Sequence, residues 1–276
     1  MKLCTRAVLF ILFFFMTACS SDAGLQVIKI GDGERSFPDM IDDIGSSRAV
    51  FIGESHDNRS HHQTQLDIIK ALHEKSIPFA VGLEMFTAKD QKSLDAWVSG
   101  NLSEDDFMPV FSRNWGAGWG LYRDIFLYAR EHRIPLTGLN VPKGITKKVG
   151  ENGFQSLTKE ERAKLPPGIT CELDPRYMNF IKLVFHFKKS NEKSFNNFCE
   201  AQVLWDQAMA WHLSQYLEKN PALSAVVLTG TIHAWKFGIP RQLGRFISVP
   251  SRVVLQEVPG LHSRIAGEDA DYLILH

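Results

Sequence analysis

Two glutamates and two histidines stand just past short apolar runs, in Gly53-Glu54-Ser55-His56, Gly82-Leu83-Glu84 and Gly230-Thr231-Ile232-His233; a fourth run ends in Gly138-Leu139-Asn140. Carboxylates and imidazoles brought together can do two kinds of chemistry. They can hold a divalent metal such as Mn or Zn with a position left open for water. Without metal, a Glu paired with a His can activate water as a general base. Glu54, His56, Glu84 and His233 are therefore candidate metal ligands and, alternatively, the catalytic set of a hydrolase or protease. His61 and His62 open the following helix and are expected to be solvated first-turn residues. Asp57 and Asn58 are expected to cap that helix.

These four groups share a site only if the runs that carry them lie side by side. Residues 48–53, 79–83, 135–139 and 224–230 read as buried parallel strands, with helical periodicity between them long enough for crossovers. One such helix spans 63–74, with Leu66, Ile69 and Leu72 on one face. The fold class is α/β: a mostly parallel central sheet flanked by helices, with a smaller helical lobe over about 143–219. In open parallel sheets ligands bind beyond the carboxyl ends of the strands, so the four polar groups should converge there. Asp174 with Pro175 is a helix start, and a long helix is expected over about 195–217. Strands from Ser251 and from Asp271, joined through Pro259-Gly260, suggest an antiparallel edge.

The chain has 276 residues, 44% of them hydrophobic, with 31 basic and 31 acidic side chains. That is ample material for a core, and the balance argues against a nucleic-acid binder, which needs clustered Lys and Arg. Residues 1–18 read as a signal peptide rather than as fold. Lys2 and Arg6 precede ten apolar residues, Ala7 to Met16, about half of what a membrane span needs. The run ends in Met16-Thr17-Ala18-Cys19, which resembles a bacterial lipobox, making Cys19 the expected lipidated first residue of a mature domain 19–276. Acyl chains on Cys19 would anchor the protein to a membrane. Ser20 rather than Asp follows, which in sorted lipoproteins favours the outer membrane. Export to an oxidising compartment makes Cys171 and Cys199 a disulfide candidate.

Seven aromatic residues fall within positions 107–128: Phe107, Phe111, Trp115, Trp119, Tyr122, Phe126 and Tyr128. Such density signals either a large flat apolar ligand or an unusually aromatic core. Together with this segment, GESHD at 53–57, LEMF at 83–86, WGLY at 119–122, GLNVP at 138–142, LDPRY at 173–177, AQVLWDQAMA at 201–210 and GTIHAWKFGIPRQL at 230–243 resemble the ChaN-like haem-binding lipoproteins. These belong to a group that also holds Tiki metalloproteases and erythromycin esterases. The resemblance implies an outer-membrane lipoprotein that binds haem for iron or haem uptake or storage, held in a homodimer with a tyrosine on the iron. An outer-membrane haem receptor is an implied partner. Tyr122 and Tyr177 both sit in family motifs, and either can be the iron ligand; His186 and Trp119 are further candidates for the haem pocket. Within the wider group the enzyme residues map onto Glu54, His56, Glu84 and His233, which keeps the hydrolase alternative open.

Overall fold

The computed structural model describes residues 25–185, 192–257 and 265–276. Eight strands form one sheet: β1 (Gln26–Lys29), β2 (Gly33–Arg35), β3 (Ala49–Glu54), β4 (Phe79–Thr87), β5 (Leu136–Asn140), β6 (Ser224–Gly230), β7 (Ser251–Gln256) and β8 (Tyr272–Leu275). Their spatial order is β2-β1-β8-β7-β3-β6-β4-β5, and every pairing from β8 to β5 is parallel. The four strands read from the sequence are the four at the β3 to β5 side, wholly or almost wholly buried, as continuous Val/Ile/Leu-rich runs require when both faces are covered. Alternation sorts their side chains: Val50, Ile52, Val81, Leu83, Val226 and Leu228 face one layer, Ala49, Phe51, Ala225 and Val227 the other.

The first layer is built from α1 (Phe37–Gly45), α2 (Arg59–Glu74), α3 (Gln91–Val98), α4 (Glu104–Trp115) and α5 (Trp119–Glu131). Asn58 caps α2 by accepting from the Ser60 N–H at 3.0 Å, and Leu66, Ile69 and Leu72 are buried as the periodicity requires. Between β5 and β6 the chain runs through α6 (Lys143–Asn152), α7 (Lys159–Arg162), α8 (Pro175–Phe185) and α9 (Glu192–Lys219). Part of this stretch packs on the sheet. Leu213 and Leu217 of α9 pack with Phe51 and Ala225, while Leu204 and Ala208 pack with Ile145 and Val149 of α6. Two short helices, α10 (Thr231–Ala234) and α11 (Ile239–Leu243), follow β6 and complete that layer.

The expected antiparallel edge is corrected. β7 and β8 are parallel, and the antiparallel pairing lies one strand further out, where β1 joins both β8 and β2. A tight turn can join only antiparallel neighbours; fifteen residues separate β7 from β8, enough for the crossover that parallel pairing needs. Pro259-Gly260 lies outside the described residues.

Candidate functional site

Glu54 is the last residue of β3, and its carboxylate is buried with four partners. His56 Nδ1 donates to Oε1 at 2.8 Å, Gln65 Nε2 donates to Oε2 at 2.7 Å, His62 Nδ1 lies 3.3 Å from Oε2, and the Tyr122 hydroxyl donates to Oε1. Burial opposes the charge, but the hydrogen bonds from His56 and His62 outweigh it and hold the carboxyl at about 2. Reciprocally, Glu54 together with the Glu84 charge overcomes burial and raises His56 to about 9. His62 is raised as well, with Nε2 against the His56 carbonyl at 3.1 Å, so that both ring nitrogens face acceptors.

A second buried carboxylate arrives from β4. Glu84 Oε2 accepts from the Thr229 hydroxyl at 2.5 Å and from the Gly230 N–H at 2.7 Å, while Oε1 is 3.6 Å from His233 Nε2. His233 on α10 gives its Nδ1–H to Asp206 of α9 at 2.7 Å, and the other Asp206 oxygen accepts from the Tyr177 hydroxyl at 2.5 Å. Burial pushes Asp206 up, against the pull of His233; the Glu84 and Asp206 charges favour protonated His233 over the cost of its burial. Gly230 is required where the two networks meet: a Cβ there would stand 2.9 Å from His56 Cε1 and 3.1 Å from Nε2.

Both networks border one cavity of about 900 Å³. Its floor is Glu54, His56, Glu84, Gly230 and His233. Trp115 at the end of α4 also lines it, and α6 and α9 supply Lys143, Lys147, Phe198, Gln202 and Trp205. His56 meets Trp115 edge-on at 5.0 Å, and the Lys143 ammonium lies over the same ring at 5.4 Å. Trp205 stands edge-on to His233 at 5.6 Å, and its indole N–H is buried with no acceptor among the described residues.

The four strand-end candidates thus border a common space. Their expected role as a Mn or Zn centre is not supported: among the described residues no three His, Cys, Asp or Glu side chains are disposed around an ion. The oxygens of Glu54, Glu84 Oε2 and the Nδ1 atoms of His56 and His233 are already spent on one another and on Tyr122, Gln65, Thr229, Gly230 and Asp206. The two tyrosine candidates lie away from this cavity. Tyr122 is 1% and Tyr177 2% exposed, neither borders the cavity, and each hydroxyl is given to a carboxylate. Burial and that adjacent charge raise both phenols above their usual range. Trp119 is displaced too: its ring packs among Trp97, Phe107, Phe111 and Phe126, its N–H reaches Glu104 at 3.1 Å, and Trp115 is the tryptophan at the cavity.

His61 and His62 are buried rather than solvated, because the first turn of α2 points back into the strand ends: the Ser55 N–H donates to His61 Nδ1 at 2.8 Å. Burial and the neighbouring His276 lower His61 to about 4. Cys171 and Cys199 are free buried thiols, packed in different apolar clusters, so the expected disulfide is not formed. His186 and Cys19 lie outside the described residues. The sequence reading missed Gln65, Asp206, Lys143 and Trp205. Asp206 carried a legible signal, a lone acid amid the buried face of α9.

Comparison with known proteins places this architecture. The chain matches the family described as haem-binding uptake, Tiki superfamily, ChaN, over residues 40–243. No curated protein matches it. Among solved structures, one described as cofacial haem binding to ChaN of Campylobacter jejuni superposes with a TM-score of 0.71 at 21% identity, covering 92% of this chain and 97% of that one. An erythromycin esterase mutant in its open conformation gives 0.51 at 14% identity, over 86% of this chain and 78% of its own. At these identities the likeness is one of fold.

Proposed function

The chain belongs to the ChaN family of haem-binding uptake proteins in the Tiki superfamily, and on that premise we propose that it binds haem in the cavity at the carboxyl ends of β3, β4 and β6. The observation that carries this reading is the cavity itself: about 900 Å³, near the top of the roughly 300–1,000 Å³ range of cofactor sites, with Trp115, Phe198, Trp205 and Ile232 as apolar surface. Bound haem would supply an iron, which a side chain of the cavity could hold. His56 fits that role best among the cavity residues. It is half exposed, its Nδ1 is held by a buried carboxylate, and Nε2 is left with no partner among the described residues, the arrangement in which a carboxylate behind an imidazole orients it toward metal. His56 would have to give up a proton to hold iron, so haemin affinity is expected to rise as pH approaches about 9.

The wider setting belongs to the same proposal. Lipidation at Cys19 after removal of residues 1–18 anchors the protein in the outer membrane, where it holds haem for uptake or storage and exchanges it with a haem receptor. The cofacial haem binding described for ChaN of Campylobacter jejuni supports a homodimer closed over the ligand. Absorption titration of the purified protein with haemin is the test. A saturable Soret band is expected, altered in His56→Ala, and its absence overturns the reading. Cys19→Ala is expected to release the protein from the membrane fraction; unchanged fractionation removes the anchor.

A further inference from the structure

The end of the sheet opposite the cavity carries another meeting of donor side chains. α2 starts beside the strand ends and runs back about 24 Å over its 16 residues, so its last turn, with His73, leads into the amino end of β4. The C-cap of α5, His132, leads in the same way into β5. Both helices close through a left-handed residue, Ser76 at φ 57° and Arg133 at φ 56°, with the Ile77 N–H on the Leu72 carbonyl at 3.2 Å and the Ile134 N–H on the Ala129 carbonyl at 2.9 Å. These closures fix the turns that present the two imidazoles. The rings of His73 and His132 stand 4.7 Å apart, tilted by 51°. Tyr128, one turn before His132, lies 4.2 Å from the His132 ring, and its hydroxyl is 2.9 Å from His73 Nδ1.

We propose that His73, Tyr128 and His132 form a binding site for Cu2+, separate from the cavity and independent of the haem reading. Two imidazoles and a phenol are the nitrogen and oxygen donors that tetragonal copper takes, and Cu2+ leads the affinity order for such donors. The phenol is the third donor, because no three His, Cys, Asp or Glu side chains converge among the described residues. The 2.9 Å between His73 Nδ1 and the Tyr128 oxygen is the spacing of two neighbouring ligands each about 2 Å from one ion. The ion takes the place of the proton they share, which passes to solvent. His132 makes ring contacts but its nitrogens have no hydrogen-bond partner among the described residues, so one can turn to the ion without breaking a bond. Both imidazoles stand at helix carboxyl ends, where the macrodipole favours a cation, and the Glu74 and Glu131 charges reach Tyr128. Lys70, with Nζ 5.7 Å from the Tyr128 ring, acts in the other direction. Packing of α2 on α5 accounts for the His73 to Tyr128 hydrogen bond but does not call for a second, exposed imidazole beside both rings.

The experiment titrates the mature protein with Cu2+ by calorimetry and records its copper spectra, for wild type, His132→Ala, His73→Ala and Tyr128→Phe. His132 is exposed, so the circular dichroism of His132→Ala is expected to match wild type. Wild type should bind one equivalent of Cu2+ with the nitrogen hyperfine pattern of two imidazoles in electron paramagnetic resonance, and both alanine variants should bind that equivalent about tenfold or more weakly. Tyr128→Phe keeps the ring and should lose the phenolate-to-copper absorption band. Haemin affinity should be unchanged in His132→Ala, which separates this site from the cavity histidines. Equal affinity and stoichiometry for Cu2+ in wild type and His132→Ala overturns the site, and so does a wild type that binds no Cu2+. A phenolate band that persists in Tyr128→Phe overturns the ligand set, and a His132→Ala variant that loses haemin together with copper overturns the separation from the cavity.

Discussion

Two aromatic assemblies lie on either side of Tyr122 and do different work. One is the cluster of Phe86, Trp97, Phe107, Phe111, Trp119 and Phe126, with ring centroids 4.4 to 6.1 Å apart, and apart from Trp119 these side chains are fully buried. The other is Trp115, Phe198 and Trp205, which face the cavity. The first draws most of its members from one dense stretch of sequence, and the second from two helices more than eighty positions apart. Density along the chain therefore marks packing between α3, α4 and α5, whereas the cavity wall is assembled from scattered residues, each the last turn or inner face of its own helix.

The sharpest way to break this comparison is to remove one member of each assembly. Phe107→Ala leaves a void among Phe86, Trp97 and Phe126 and is expected to cost about 3–5 kcal/mol of stability. Haemin affinity of the protein that remains folded should not change. Trp205→Ala should do the opposite, weakening haemin binding with a smaller loss of stability, since Trp205 borders open space. Denaturant unfolding and haemin titration of both variants check this, and a Phe107 variant that loses haemin specifically would merge the two assemblies into one.

Tyr122 belongs to both regions, with Phe111 5.8 Å on one side, Trp115 6.4 Å on the other and its hydroxyl on Glu54. Tyr122→Phe keeps the ring and takes one donor from a buried carboxylate, which should cost about 1–3 kcal/mol. If the iron is held by His56, the haemin spectrum of the variant stays as in wild type. Loss of the band in Tyr122→Phe would return the ligand to the tyrosine that the family resemblance favoured.

Much of this was legible in the chain. The β3, β4, β5 and β6 strands announce themselves because strands buried on both faces must be apolar at every position, and the glycine-then-polar endings locate Glu54, His56, Glu84 and His233 at one sheet edge. The outer strands β1 and β2 were not legible. They are three or four residues long, β2 is exposed throughout and β1 buries only Val27 fully, so no hydrophobic run betrays them. Nor was the true place of Tyr122, His62 or Lys143. Spacing says which residues share a helix face but not what that face meets, and the partners here lie 68 positions from Tyr122 and on another helix from Lys143. Family motifs find such residues without revealing whether a hydroxyl faces ligand or a buried acid.

The smallest expected effect separates the outer edge of the frame from the site by acid titration. Asp43 on α1 lies far along the sheet from the cavity, accepting from Tyr272 at 2.6 Å and Arg252 at 3.0 Å with Lys29 at 3.3 Å. Partial burial raises its pKa, but those donors outweigh it and bring the carboxyl down to about 2. A depressed acid contributes stability that is complete above its unfolded value of about 4 and is lost as pH falls through about 2. With its side chain 21% exposed, solvent screening reduces the contribution to about 1–2 kcal/mol. Glu54 titrates in the same window, so the wild-type curve alone cannot separate edge from site. Asp43→Asn does: its unfolding free energy should lie below wild type at pH 5 and converge on it near pH 2, with haemin affinity at neutral pH unchanged. A variant whose stability runs parallel to wild type from pH 5 to pH 2 would assign the acid sensitivity to Glu54 and the cavity floor instead.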